Sequence, residues 1–363
     1  MRRLDLSLAV ALTAFVLLFG LAVFGERIAM YEPFYVVLDL GKQSPPYAPG
    51  GPFLLGTDTS GRDLLSLILY GARVTLTIAA AAGLGRVLLG LVFAAFGSQS
   101  APVRLVLDGV SEVASALPVT LVAVLAVLAL AGPDARALPF VAAIVLTGWP
   151  GPYRVARTEL KRLATAPFTE SAHALGLRGR AILARHHIPH LMPLLAMSVS
   201  QQMTASLVAL AELGVFAIFI GRVRSIGIGT TPISDIPEWG GLLANARSVE
   251  NLYTTRWVFL VPGVAIAAAA ILVSVIGIGV ANRYRRRDVL ADVRSPLAGL
   301  IALAVVGCVA LAAVLPQRYP EAHERASAVR GGVVRGADLA SALTEGGFSA
   351  IGSGVVQTSS TAA

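Results

Sequence analysis

Uninterrupted apolar blocks of membrane length close most of fold space to this chain. Residues 74–96 make the clearest block, 23 residues with a single charge at Arg86. A helix rises about 1.5 Å per residue, so about 20 residues cross a ~30 Å hydrocarbon core. Further blocks at 8–24, 113–131, 137–153, 188–220 and 257–281 bring the expected spans to six, and 296–315 adds a seventh. Pro118 is expected to kink the third span, because proline removes a backbone donor. Composition agrees: 56% of residues are hydrophobic and 14% charged, against about 25% charged in soluble domains. The expected fold class is an all-α integral membrane protein.

Charge between the blocks sets the orientation. The 29 basic residues are all arginine except Lys42 and Lys161, and the net charge is +8. No base-reading or aromatic-platform motif accompanies them, so they are read as topology signals and not as a nucleic-acid surface. Met1-Arg2-Arg3 before the first block resembles the start of a signal peptide, but no small-x-small cleavage site follows Phe24. An uncleaved first span with a cytoplasmic N-terminus is expected. Crossing six times then puts the basic loop containing Arg154, Arg157, Lys161, Arg162, Arg178, Arg180 and Arg185, and the cluster Arg283 to Arg287, on the cytoplasmic face. The charge-balanced loops fall outside, and every loop agrees with the rule that positive loops stay inside. A seventh crossing carries the Ser-, Thr-, Ala- and Gly-rich tail outside as a weakly ordered segment.

Polar groups inside the blocks are the candidates for a path. A central arginine costs roughly 2.5–3.5 kcal/mol on insertion scales, so Arg86 should face the bundle interior, a polar cavity or an acid such as Glu112 or Glu212. Gln201, Gln202 and Glu212 fit a path-lining or obliquely packed helix better than a lipid-facing one. No P-loop, H-E-x-x-H or G-x-S-x-G motif is present, so no catalytic residues and no nucleotide bound by this chain are expected. His173, His186, His187 and His190 lie among arginines, which disfavours a bound cation, and no metal site is expected. Cys308 stands alone in an apolar run.

The basic loop has an internal logic. Pro167 suits a first helical turn, Thr169 and Glu170 complement free N–H groups there, and Ser171, Ala172 and Ala174 are small. Gly176 permits a left-handed turn, and a second basic turn, 178–187, leads to Ile188-Pro189. Two short helices parallel to the bilayer, with a small-residue face for a partner, are expected. An amphipathic segment resting on anionic lipid is the competing reading.

The motif E-S-A-x-x-x-G at 170–176, followed after nine residues by H-H-I-P at 186–189, resembles the E-A-A loop of ABC importer permeases. Leu55-Gly56-Thr57-Asp58-x-x-Gly61-Arg62-Asp63-x-x-Ser66, then Tyr70-Gly71-Ala72-Arg73, resembles the outside-loop signature of the second permease of dipeptide, oligopeptide and nickel importers. Pro237-x-Trp239-Gly240 and Pro262-Gly263 extend the resemblance. After Glu212, where the family carries a run like L-S-F-L-G-L-G, this chain reads Val215-Phe216-Ala217-Ile218-Phe219-Ile220-Gly221.

The resemblance implies a six-helix type I importer core in a bacterial inner membrane. It implies residues 1–290 as permease domain, with an outer loop at 26–73 and a coupling loop at 154–190. Residues 291–315 would be an additional transmembrane helix and 316–363 the tail. Glu170, Ser171, Ala172, Gly176, Arg185, His186, Ile188 and Pro189 would meet an ATPase. Gly56, Thr57, Asp58, Gly61, Arg62 and Asp63 would form the outer signature. Implied partners are a second permease subunit, two ATPase subunits or domains that hydrolyse the ATP, an extracytoplasmic solute-binding protein, and membrane lipid. Peptide transport is the implied function, with a nickel or metal-chelate permease, and a stand-alone secondary transporter, as alternatives.

Overall fold

The computed structural model describes residues 6–33, 35–37, 45–131, 137–221, 223–225, 232–234, 236–244 and 254–287, with short strands at 333–335, 348–352 and 355–358. The apolar run 296–315, Cys308 and most of the tail lie outside the described residues. The described chain is mostly helical: α1 Leu6–Ile28, α2 Leu64–Gln99, α3 Ala101–Ala116, α4 Val119–Ala131, α5 Ala137–Gly148, α6 Pro150–Ala164, α7 Pro167–Ala174, α8 Gly179–Ile182, α9 Ile188–Val215, α10 Trp239–Ala244 and α11 Arg256–Arg287. Three antiparallel two-stranded ribbons accompany the helices: β1 Tyr35–Val37 with β4 Val333–Arg335, β2 Val223–Ser225 with β3 Pro232–Ser234, and β5 Phe348–Gly352 with β6 Val355–Thr358.

Four described helices are long and apolar enough to cross a membrane, at Ala9–Ile28, Leu64–Gln99, Leu194–Val215 and Arg256–Gly279. The pair α3 and α4 makes a fifth only if taken as one span, and it bends by 103°. That bend replaces the kink expected at Pro118. The ring of Pro118 disfavours helical angles at the residue before it, and Leu117 is extended at φ −88°, ψ 144°. Arg104 lies inside α3. The block 137–153 divides into α5, 12 residues long, and α6, which begins on Pro150. α2 begins ten residues earlier than the expected span, because Asp63 caps it: its Oδ2 accepts from Ser66 N at 2.8 Å and Ser66 Oγ at 2.7 Å. α9 runs unbroken through Pro189 and Pro193. A π-helical turn, Leu183–His187, precedes it, in which Ile188 N–H reaches back five residues to Leu183 O. This wider turn accommodates the missing N–H of Pro189 without breaking the helix.

The chain divides into two compact units. The first comprises 1–19, 76–209 and 268–311, the second 20–75, 210–267 and 312–363. The core of the first gathers Val87 and Ala94 of α2, Tyr153, Ala156, Leu160 and Leu163 of α6, Leu191 and Leu195 of α9, and Trp149. Trp149 stands edge-on to Phe93 at 4.7 Å and to Tyr153 at 5.6 Å, offset geometries favoured by aromatic quadrupoles. Ser200 and Thr204 of α9 bond to α11 at Val273 O, at 2.6 Å, and Ser274 Oγ, at 3.2 Å.

The second unit is tied by polar groups around Trp239. Its backbone N–H donates to Thr75 Oγ1 at 3.0 Å and its indole N–H to Ile68 O at 2.9 Å, fixing α10 to α2. α10 lies so close to the end of α9 that a Cβ at Gly214 would fall 2.0 Å from Gly240 O.

Candidate functional site

In the first unit, α7 is seated by one hydroxyl. Thr169 Oγ1 donates its only proton to Leu163 O at 2.7 Å, so at its 3.0 Å contact with His187 it is the acceptor and His187 Nε2 carries the hydrogen. Thr169 and His187 are buried, with Phe168 edge-on to His187 and stacked 5.0 Å from His190. Burial, then the neighbouring histidines 186, 190 and 173, push the His187 pKa below its ordinary value, favouring the neutral ring. Among the described residues no group of three or more potential metal ligands forms.

The end of α7 is a Schellman turn. Gly176 N–H donates to His173 O at 2.9 Å and Leu177 N–H to Ala172 O at 3.1 Å. Gly176 has φ +80°, with nothing within 4 Å of a built Cβ, so its glycine serves backbone angle and not close packing. α8 and the π turn then pass directly into α9. The two expected short helices therefore become one short helix and an extension of a long one.

Of the sequence-derived loop residues, Glu170, Ser171, Gly176, Arg185 and Pro189 are exposed, and His186 and Ile188 are half-buried. Ala172 faces inward at 5% exposure, which corrects its expected place on the presented face. That face is formed by Glu170, Ser171, Ala174 and Leu175, the last 82% exposed. Behind it, Arg162 pairs with Glu159, holding the Glu159 carboxyl below its ordinary pKa.

The signature at 56–63 is a buried knot in the second unit. Asp58 Oδ1 accepts from Ser60 N and Arg62 N, both at 2.9 Å, while Oδ2 pairs with Arg62 at 2.7 Å. Thr57 is fully buried, and its carbonyl accepts from the Trp257 indole at 3.1 Å. Gly56 and Gly61 are buried, as are Arg62 and Asp63, so the motif shapes this unit from within.

The path candidates lie on α2 and α9. Arg86 is 3% exposed, and its Nε donates to Ile144 O of α5 at 3.0 Å with the side chain against Gly148. Among the described residues no carboxylate pairs with it. In place of the expected acidic partner stands a backbone carbonyl of α5. Gln201 and Glu212 stand eleven residues apart on α9, close to three turns, and so share one face. Gln201 is exposed, while Gln202 and Glu212 are half-buried.

Two groupings escaped the sequence reading. Glu238 is fully buried, accepts from Gly240 N at 3.0 Å and Gly241 N at 3.2 Å, and burial pushes its pKa up to about 7. Its position just before Trp239-Gly240 was a readable capping signal. The other is the polar stripe of α3, Asp108, Ser111 and Ser115, legible as i, i+3, i+7 spacing.

Four membrane-length helices and a basic helical loop define a multi-pass membrane protein. The family model for the binding-protein-dependent transport system inner membrane component matches residues 86–288, more than half of the sequence, and the chain belongs to that family. It is similar to the di/tripeptide transport system permease protein DppC of Pseudomonas aeruginosa, 28% identical over 71% of this chain and 80% of that protein. The peptide transport system permease protein SapC of Escherichia coli is 30% identical over 66% of this chain and 74% of its own. A dipeptide transport system permease protein DppC of Alkalihalophilus pseudofirmus is 26% identical over 69% of this chain and 79% of its own.

Proposed function

We propose that this chain is one permease half of an ATP-driven importer for peptides, and that α7 with its glycine turn is the surface on which a separate ATPase acts. The observation that carries the reading is the seat of α7. Thr169 and Ala172 hold the helix from behind while Glu170, Ser171, Ala174 and Leu175 face away. A short helix fixed from one side and unpartnered on the other is suited to transmit a push into α6 and α9, between which it lies in the chain. ATP supplied by the partner then biases a two-state bundle through this contact. The peptide class rests on the names of the similar permeases. In this reading the basic loop is cytoplasmic, residues 29–63 face a solute-binding protein, and a second permease subunit closes the path.

The test is co-purification of the chain with its cognate ATPase subunits, and uptake of a labelled dipeptide by the reconstituted complex. Glu170 is exposed, so Glu170→Arg should leave the thermal stability of the chain unchanged while abolishing association and uptake. Undiminished association would sink the docking assignment. Uptake of a nickel–histidine chelate but not of dipeptides would sink the peptide assignment alone.

A further inference from the structure

α3 meets its neighbours through a polar stripe and one apolar residue, Leu107, and leaves most of its other apolar residues uncovered. Leu105, Val106 and Val113 are exposed at 76%, 63% and 66%, whereas Ser111 is the residue of α3 that is buried. Asp108, Ser111 and Ser115 form one stripe, and it faces α6. Tyr153 Oη donates to Asp108 Oδ1 at 2.6 Å, Arg157 approaches Asp108 Oδ2 at 3.8 Å, and Arg154 donates to Ser115 Oγ. Ser115 Oγ passes its own proton to Ser111 O at 2.6 Å. Apolar faces slide over one another at little cost, but a short charge-assisted hydrogen bond fixes register. The Asp108–Arg157 pair is long and half-exposed and contributes little. The directional tie is therefore Tyr153 to Asp108, with the Tyr153 ring at 0% exposure. α6 is also the helix that leads into α7 through only Thr165 and Ala166. At its far end α3 turns by 103° into α4.

We propose that Asp108 is a positioning residue that makes α3 ride on α6 as one body, so that a push on α7 reaches the elbow between α3 and α4. This rests on the docking reading of α7. The test uses the full complex with Cys308→Ser and an environment-sensitive fluorophore on Val113→Cys, reading the spectral shift on ATP addition beside the rate of ATP hydrolysis. Asp108→Ala should reduce the shift about tenfold while hydrolysis stays within about twofold. Asp108→Asn keeps an acceptor oxygen for Tyr153 and should restore the shift. A shift that persists in Asp108→Ala, a shift and hydrolysis that fall together, or no shift in the parent complex would each overturn the proposal.

Should Asp108→Ala fail to assemble, a flexible bis-maleimide bridging Ser115→Cys and Arg154→Cys, with Cys308→Ser and the fluorophore joined by azide–alkyne coupling to an azide-bearing residue placed at position 113, answers the same question. A shift retained after bridging supports one-body motion, and a shift lost on bridging shows that α3 slides on α6. Failure of the docking reading is seen separately, as normal ATPase association by Glu170→Arg.

Discussion

Thr169 gives a single hydroxyl two tasks, donating to Leu163 O and accepting from His187. Thr169→Val keeps the shape and leaves both partners unmet, so it should cost about 1–3 kcal/mol in the stability of the detergent-purified chain, read as a drop in Tm, while Thr169→Ser recovers most of it. His187 adds a pH dependence. Its folded pKa lies below the ordinary 6.5, so between the two values the unfolded loop binds more protons. Stability is then full above about 6.5 and falls as pH drops below it. Proteolytic protection of the 165–187 segment should weaken between pH 7.5 and 5.5, and His187→Gln should remove that dependence. None of this was legible beforehand. The histidines read only as neighbours of arginines, because nothing local shows that residue 187 returns to residue 169 in space. Arg86 shows the same limit from the other side. Its burial was readable from the cost of a charge in lipid, but not its partner, a backbone carbonyl with no side-chain signature.

Elements were read best where local chemistry decides them. The glycine stop of α7, its proline start and the apolar core of α2 follow from single residues and periodicity. The start of α2 was misplaced because Asp63 lies in a stretch rich in glycine and polar residues, where loop and cap look alike. The continuity of the helix through Pro189 required a π turn, which no sequence pattern announces. Close approach between elements is likewise a tertiary fact. Gly214→Ala would put a Cβ 2.0 Å from Gly240 O and should reach or exceed the upper end of the about 1–3 kcal/mol that overpacking costs. Gly263→Ala, with nothing within 4 Å, should leave the melting temperature of the purified chain unchanged or raise it. Asp58→Ala would strand Arg62 as an unpaired buried charge and should cost about 3–5 kcal/mol, measured as loss of folded chain by size-exclusion chromatography.

At the scale of the molecule, topology is the prediction to check. With Cys308→Ser, single cysteines at the exposed positions Ser171 and Gly51 should react with a membrane-impermeant maleimide from opposite faces, Ser171 only in inverted vesicles. Labelling of both from one face would contradict the crossing pattern. Hydropathy, charge asymmetry and motif spacing are properties of residues along a chain, and they were enough to reveal the solvent, the helical class, the family and the basic loop. Contacts made in three dimensions turned the signature into a buried knot, packed Ala172 inward, set Arg86 on a backbone carbonyl of α5 and tied α3 to α6. Those outcomes depend on which distant backbone and side-chain groups arrive within about 3 Å of one another, and a one-dimensional pattern does not carry that distance.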